Sequence, residues 1–213
     1  VKAVLSIVRR SLCVPALLPV AFVTAVLSWA GVWLARGAMG ATPDYLADVR
    51  HGCLLLAGTL ALALAEPLHT RADVGRGLLS LRFARSGGLG LLPRWIGLGL
   101  ACLPMLALAA LASGGLPSRP LLLASQLAVL AAGGLALGAV FERGRLVPCM
   151  LGLLVLGHLR PWIERASWGP AVSWLLPDLS ALEGSQGLLH AALWSAAALV
   201  LARARLRCVA GRG

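Results

Sequence analysis

Residues 121–141 read LLLASQLAVLAAGGLALGAVF, twenty-one residues without one formal charge. At a helical rise of about 1.5 Å per residue, such a run crosses a hydrocarbon core of about 30 Å. Lipid offers backbone N–H and C=O groups no hydrogen-bond partner, so a crossing segment must satisfy them internally, as a helix or a closed barrel does. A barrel strand would alternate apolar and polar residues over about ten positions. The stretch Leu127–Val140 does not alternate, and neither does Leu54–Ala65. Working outward, five more apolar runs flank this one. They lie at about Cys13–Ala35, Gly52–Leu68, Trp95–Ala112, Leu146–Trp162 and Gly187–Ala204. The pattern predicts an all-α membrane protein, with six transmembrane helices forming a single transmembrane domain over residues 1–213.

Composition points the same way. The chain is 59% hydrophobic and 13% charged, against about 25% charged residues in soluble domains. Mean hydropathy is +0.87. The net charge of +11 invites a nucleic-acid reading. Its distribution argues against one, because the arginines stand between apolar runs instead of alternating with aromatics on a polar face. Cys13, Cys53, Cys102, Cys149 and Cys208 are widely spaced and form no C-x-x-C pair. They read as small apolar packing residues, with neither a metal site nor a disulfide framework implied. The first run follows Lys2, Arg9 and Arg10 but is longer than a signal-peptide core of about 7–15 residues. It reads as a retained span.

With the N-terminus placed in the cytoplasm, fourteen of the nineteen Lys and Arg residues fall on the inner side. Arg36, Arg50, Arg119, Arg160 and Arg165 fall on the outer side. This bias is the positive-inside signal, and an even number of spans returns the C-terminus to the cytoplasm. Val1, Val4, Leu5 and Val8 share one helical face beside Arg9 and Arg10, which predicts a short N-terminal amphipathic helix along the inner surface. Between spans five and six, Trp162, Trp168 and Trp174 favour the membrane interface. Short re-entrant helices are expected there.

Few residues suggest chemistry. Glu66, His158 and His190 are ionisable groups at or near span ends, and intramembrane ionisable groups are functional candidates. Each also has a plain reading, in which the group meets headgroups or a neighbouring arginine. No G-x-S-x-G, H-E-x-x-H or phosphate-cradling G-x-x-x-x-G-K-[ST] is present, so any nucleotide would have to bind another polypeptide. Gly134 and Gly138 stand in a G-x-x-x-G spacing, which permits close helix approach, here more readily within the chain than across a dimer.

The stretch between spans two and three, RADVGRGLLSLRFARSGGLGLLPRWIGLGL (Arg71–Leu100), resembles the cytoplasmic segment of ABC-2-type transporter permeases. Gly77–Leu81 and Leu91–Gly97 occupy the two halves of that family's pattern. Arg94 stands where the family usually has Lys, and Pro93 where it has Gly. Val4–Leu12 (VLSIVRRSL) resembles the family's amphipathic N-terminal helix, and Leu175–Leu182 (LLPDLSAL) its motif before the last span. The resemblance implies a permease subunit of the cell (inner) membrane, without enzymatic activity or cofactor of its own. It would form the path of an ATP-driven exporter with a second permease copy, identical or different, and a separate ATP-binding subunit. Asp73, Arg76, Arg82 and Arg85 would then belong to the loop that couples to the ATPase, and Arg94 would anchor the start of span three. The same basic residues could instead meet anionic lipid. A non-transporting membrane anchor of a larger complex is the competing reading. An intramembrane enzyme or ion-coupled carrier working through Glu66, His158 or His190 is the third.

Overall fold

The computed structural model describes residues 17–38, 42–75, 91–141, 143–166, 173–182 and 184–210, and these form helices joined by turns, with no strand among them. The helices are α1 (Leu17–Ala38), α2 (Pro43–Gly75), α3 (Leu91–Ala101), α4 (Leu103–Ala112), α5 (Pro120–Gly138), α6 (Arg143–Ile163) and α7 (Ser185–Ala210). Six segments are long and apolar enough to cross a membrane: Pro19–Gly37, Pro43–Ala65, Arg94–Ala112, Pro120–Gly138, Arg145–Ile163 and Ser185–Arg205. They coincide with the six apolar runs. The amphipathic helix expected at the N-terminus lies outside the described residues.

Helix α5 is the centre of the bundle. It packs against α2, α3, α6 and α7, while α1 lies against α2 and α4. Gln126, Leu130, Ala132 and Leu135 of α5 are almost fully buried. The outward surfaces are the reverse of a water-soluble protein's. Phe22, Trp29, Trp33, Leu189 and Leu193 are each more than half exposed, as suits hydrocarbon solvent. Trp29 and Trp33 stack one turn apart, with ring centroids 6.3 Å from each other. Hydroxyls within the spans bond back to their own helix. Thr24 Oγ1 donates to the Val20 carbonyl at 2.9 Å, Ser28 Oγ to Thr24 at 2.7 Å and Thr59 Oγ1 to Leu55 at 2.7 Å. No hydroxyl in this set is left facing lipid without an acceptor.

Two elements depart from the apolar runs. Helix α2 begins at Pro43, not near Gly52, and continues to Gly75. Pro43 opens the helix, where its missing N–H costs nothing. Arg50 and His51 are absorbed into the helix because each has a partner across the bundle. The third span is two helices, not one. Pro104 sits in the first turn of α4 and has no N–H for a bond to the preceding turn. The chain turns at Cys102, whose N–H reaches the Gly99 carbonyl at 3.3 Å, and helix resumes with Leu106 N–H on the Cys102 carbonyl at 3.0 Å. The Cys102 thiol fills the break, donating toward the carbonyls of Leu98 at 3.3 Å and Gly58 at 3.6 Å.

Between α6 and α7, residues 174–182 run as turns, bends and irregular chain. The short re-entrant helices expected between the last two spans fall in part on residues 167–172 and 183, which lie outside the described residues.

Candidate functional site

Side-chain contacts gather one set of helix ends together: the end of α1, the start of α2, the α4–α5 turn, the end of α6 and the start of α7. A cluster of polar side chains lies at this end. At its centre is Arg160, in the last turn of α6, with 7% of its surface exposed. Its Nε donates to Glu164 Oε1 at 2.8 Å. Its Nη1 lies 3.0 Å from the ring nitrogens of His190, on the first turns of α7, and 3.8 Å from Asp178 Oδ2. A buried guanidinium requires such partners, since an unpaired charge in a low-dielectric site is costly.

Asp178 serves two structures at once. Its Oδ1 accepts from Ser180 N–H at 3.2 Å, Ser180 Oγ at 2.9 Å and Ala181 N–H at 3.1 Å. This is an aspartate-centred turn, and it leaves Oδ2 to face Arg160. The turn presses Leu179 into the bundle, where it is fully buried. Leu179 N–H donates to the Gly157 carbonyl at 3.4 Å, and its own carbonyl accepts from Gln126 Nε2 at 2.8 Å. Gln126 Oε1 in turn accepts from His51 Nε2 at 2.8 Å, which sets the tautomer of that ring. Trp194 Nε1 donates to the Leu175 carbonyl at 3.0 Å.

Two glycines allow this seating. A Cβ at Gly157 would stand 2.8 Å from the Leu179 side chain and 3.1 Å from the Pro177 carbonyl. A Cβ at Gly187 would collide with the Ala181 backbone. Segment 173–184 is thus a plug fastened to α5, α6 and α7 by backbone, carboxylate and indole bonds. Chemically the arrangement holds and orients. No group of three or more His, Cys, Asp or Glu side chains suited to a metal occurs among the described residues.

The residues singled out in the sequence are distributed differently. Asp73 lies in the last turn of α2, and Glu66 lies in the same helix. Arg76, Arg82 and Arg85 fall outside the described residues, as does Trp168. Arg94 stands in the first turn of α3 and is 6% exposed. Gly134 faces α6, where an added Cβ would meet Met150 at 3.5 Å, and Gly138 closes α5 half-buried. Trp162 is exposed at the end of α6, with the Arg165 guanidinium 5.0 Å above its ring. Trp174 is exposed on the plug, its ring 5.7 Å from that of His190. His158 is exposed, with its Nδ1 3.0 Å from the Leu154 carbonyl one turn back on its own helix. The polar cluster therefore gathers Arg160, Glu164, Asp178 and His190, of which only His190 stood out in the sequence as a candidate. The pair Arg160 and Glu164, four apart on one helix, was the available signal.

No family model matches this chain, and neither a curated protein nor a solved structure matches it.

Proposed function

We propose that the chain is the membrane-spanning permease subunit of an ATP-driven exporter, of the kind that ABC-2-type permeases represent. It would work in the cell (inner) membrane, with both termini cytoplasmic. A second permease copy would complete the path, and a separate ATP-binding subunit would drive it. The observation that carries this reading is the length of α2. Its apolar run ends near Leu68, yet the helix continues to Gly75. The helix thus leads from the span toward the arginine-bearing segment 76–94. A helix that continues unbroken from span to loop can carry a push on the loop into the bundle. At the other end, the plug at 173–184 supports the reading of an outer closure that dips back toward the leaflet, with Trp162 and Trp174 at the interface.

The test is purification of the whole chain in mild detergent, with mass identification of what accompanies it and an ATPase assay. A co-purifying subunit that turns over nucleotide is the expected result. Charge reversal at Arg76 and Arg82 together should reduce its recovery by about tenfold, the loss expected when charged docking contacts become repulsive. A stable complex without a nucleotide-binding subunit would overturn the permease reading in favour of a membrane anchor.

A further inference from the structure

Away from the polar cluster, an apolar groove of about 640 Å³ runs between α3–α4 and α5, with buried Leu54 of α2 at its floor. Ile96, Leu103, Leu116 and Ala124 are among its walls. A Cβ added at Gly99 would meet nothing within 4 Å, so the groove is open there. Trp95 closes the deep end, where its Nε1 donates to the Ala128 carbonyl at 2.8 Å. Along α5 the groove follows Pro120 to Ala131. That is about 16 Å at about 1.5 Å per residue, or one leaflet of a hydrocarbon core of about 30 Å.

Two arginines stand at the turn that adjoins the groove residue Leu116. Arg50 stands one helical turn from Leu54 on the same face of α2. Its Nε donates to the Ser113 carbonyl at 3.3 Å. Its Nη1 lies 3.3 Å from the position a Gly115 Cβ would take, next to the groove residue Leu116. Nη1 and Nη2 hydrogen-bond to no other described residue. Arg36 of α1 reaches the same turn, with Nη2 3.9 Å from the corresponding position at Gly114. Asp44 and Asp48 are exposed on the first turns of α2, farther along the helix from Leu54 than Arg50 is.

We infer that this groove is a binding site for one phospholipid, with acyl chain along α5 and its phosphate on the Arg50 guanidinium. Depth and chemistry select that occupant. The cavity is one leaflet deep and lined by apolar side chains, and the Arg50 guanidinium, whose Nη1 and Nη2 bond to no other described residue, stands at the turn beside its Leu116 wall. Arginine recognises phosphate by two parallel charge-assisted bonds. The inference goes beyond the transport reading and holds whether or not the chain moves a cargo.

The experiment uses the full-length chain, stripped of lipid in detergent and checked for helicity and gel-filtration behaviour. Native mass spectrometry then measures retention of added phosphatidylglycerol and of diacylglycerol with the same acyl chains. Wild type should retain one phosphatidylglycerol per chain, about tenfold more tightly than diacylglycerol, because only the former offers the arginine a phosphate. Arg50→Gln should remove that preference while leaving diacylglycerol binding in place. Gly99→Leu, remote from the turn and placed in open space, should weaken both lipids by filling the groove, so the site remains testable if Arg50→Gln fails to fold. Equal retention of the two lipids by wild type overturns the inference. So does phosphatidylglycerol binding that neither substitution changes. A dimer that Gly99→Leu dissociates, with lipid retention unaltered, would assign the groove to a second copy instead.

Discussion

Arg160 holds a permanent charge at the end of a membrane-length helix, and its partners are unequal. Glu164 makes the shortest bond, but its side chain is 43% exposed. Asp178 is farther away and only 17% exposed. Solvent screening reduces the first contact, and an exposed pair four apart on a helix contributes about 0–1 kcal/mol. Burial strengthens the second. Removing one member of a buried pair leaves the other uncompensated, at about 3–5 kcal/mol. Arg160→Ala should therefore destabilise the chain most and Glu164→Gln least. Asp178 separates charge from turn geometry. Asn at that position retains an oxygen for Ser180 and Ala181, whereas Ala retains none, so Asp178→Ala should cost about 1 kcal/mol more than Asp178→Asn. Equilibrium unfolding in mixed micelles measures all four. A Glu164→Gln effect equal to that of Arg160→Ala would show that exposure does not govern this cluster.

At the scale of the element, the plug has no helix or strand over residues 174–182 and is held by what it touches. Its anchor, Leu179, occupies a space that exists because residue 157 has no side chain. Gly157→Leu should expel it. In a background without the five native cysteines, Leu179→Cys should react slowly with a water-borne maleimide. Adding Gly157→Leu should accelerate that reaction by about tenfold or more, the change expected for a group moved from a buried to an open site. An unchanged rate would mean that the polar bonds at Gln126 and Arg160 suffice to seat the plug.

These elements also mark what a sequence discloses. The six spans are legible because the bilayer demands about twenty apolar residues from each crossing segment, and that demand is written locally. The start of α2 is not. Arg50 and His51 look like a loop until their acceptors, Ser113 and Gln126, are known, 63 and 75 residues away. The break at Cys102 has a local signal in Pro104, but an uninterrupted apolar run conceals it. The polar cluster is the least legible part. Its members come from α6, the plug and α7, and Arg160 alone looks like one more topological charge. The arginines of the 76–94 segment declared themselves by charge density, whereas Arg160 matters through burial, which no local pattern records.

For the whole molecule, the question is which end faces the cytoplasm. The end that carries the plug holds Arg36, Arg50, Arg119, Arg160 and Arg165, and most of these touch the protein. Arg50 bonds the Ser113 carbonyl, Arg160 bonds Glu164 and Arg165 lies over the Trp162 ring. Arg160, whose charge Glu164 and Asp178 offset, is a weak determinant of orientation, whereas Arg50 on a carbonyl and Arg165 on an indole ring keep theirs. At the other end stand Arg145 and Arg205, both exposed, and Arg94 and Arg203, both engaged within the protein. Free cations near span ends hold their side of the membrane against translocation. A reporter fused after Gly213 should behave as cytoplasmic, and one inserted near Ser185 as external. Replacing Arg36, Arg50 and Arg165 with Gln should leave both signals in place. Replacing Arg76, Arg82 and Arg85 should send a measurable fraction of chains in with the opposite orientation. A Gly213 fusion that reads as external in the unmodified chain would invert the topology, and with it the assignment of the plug as an outer closure.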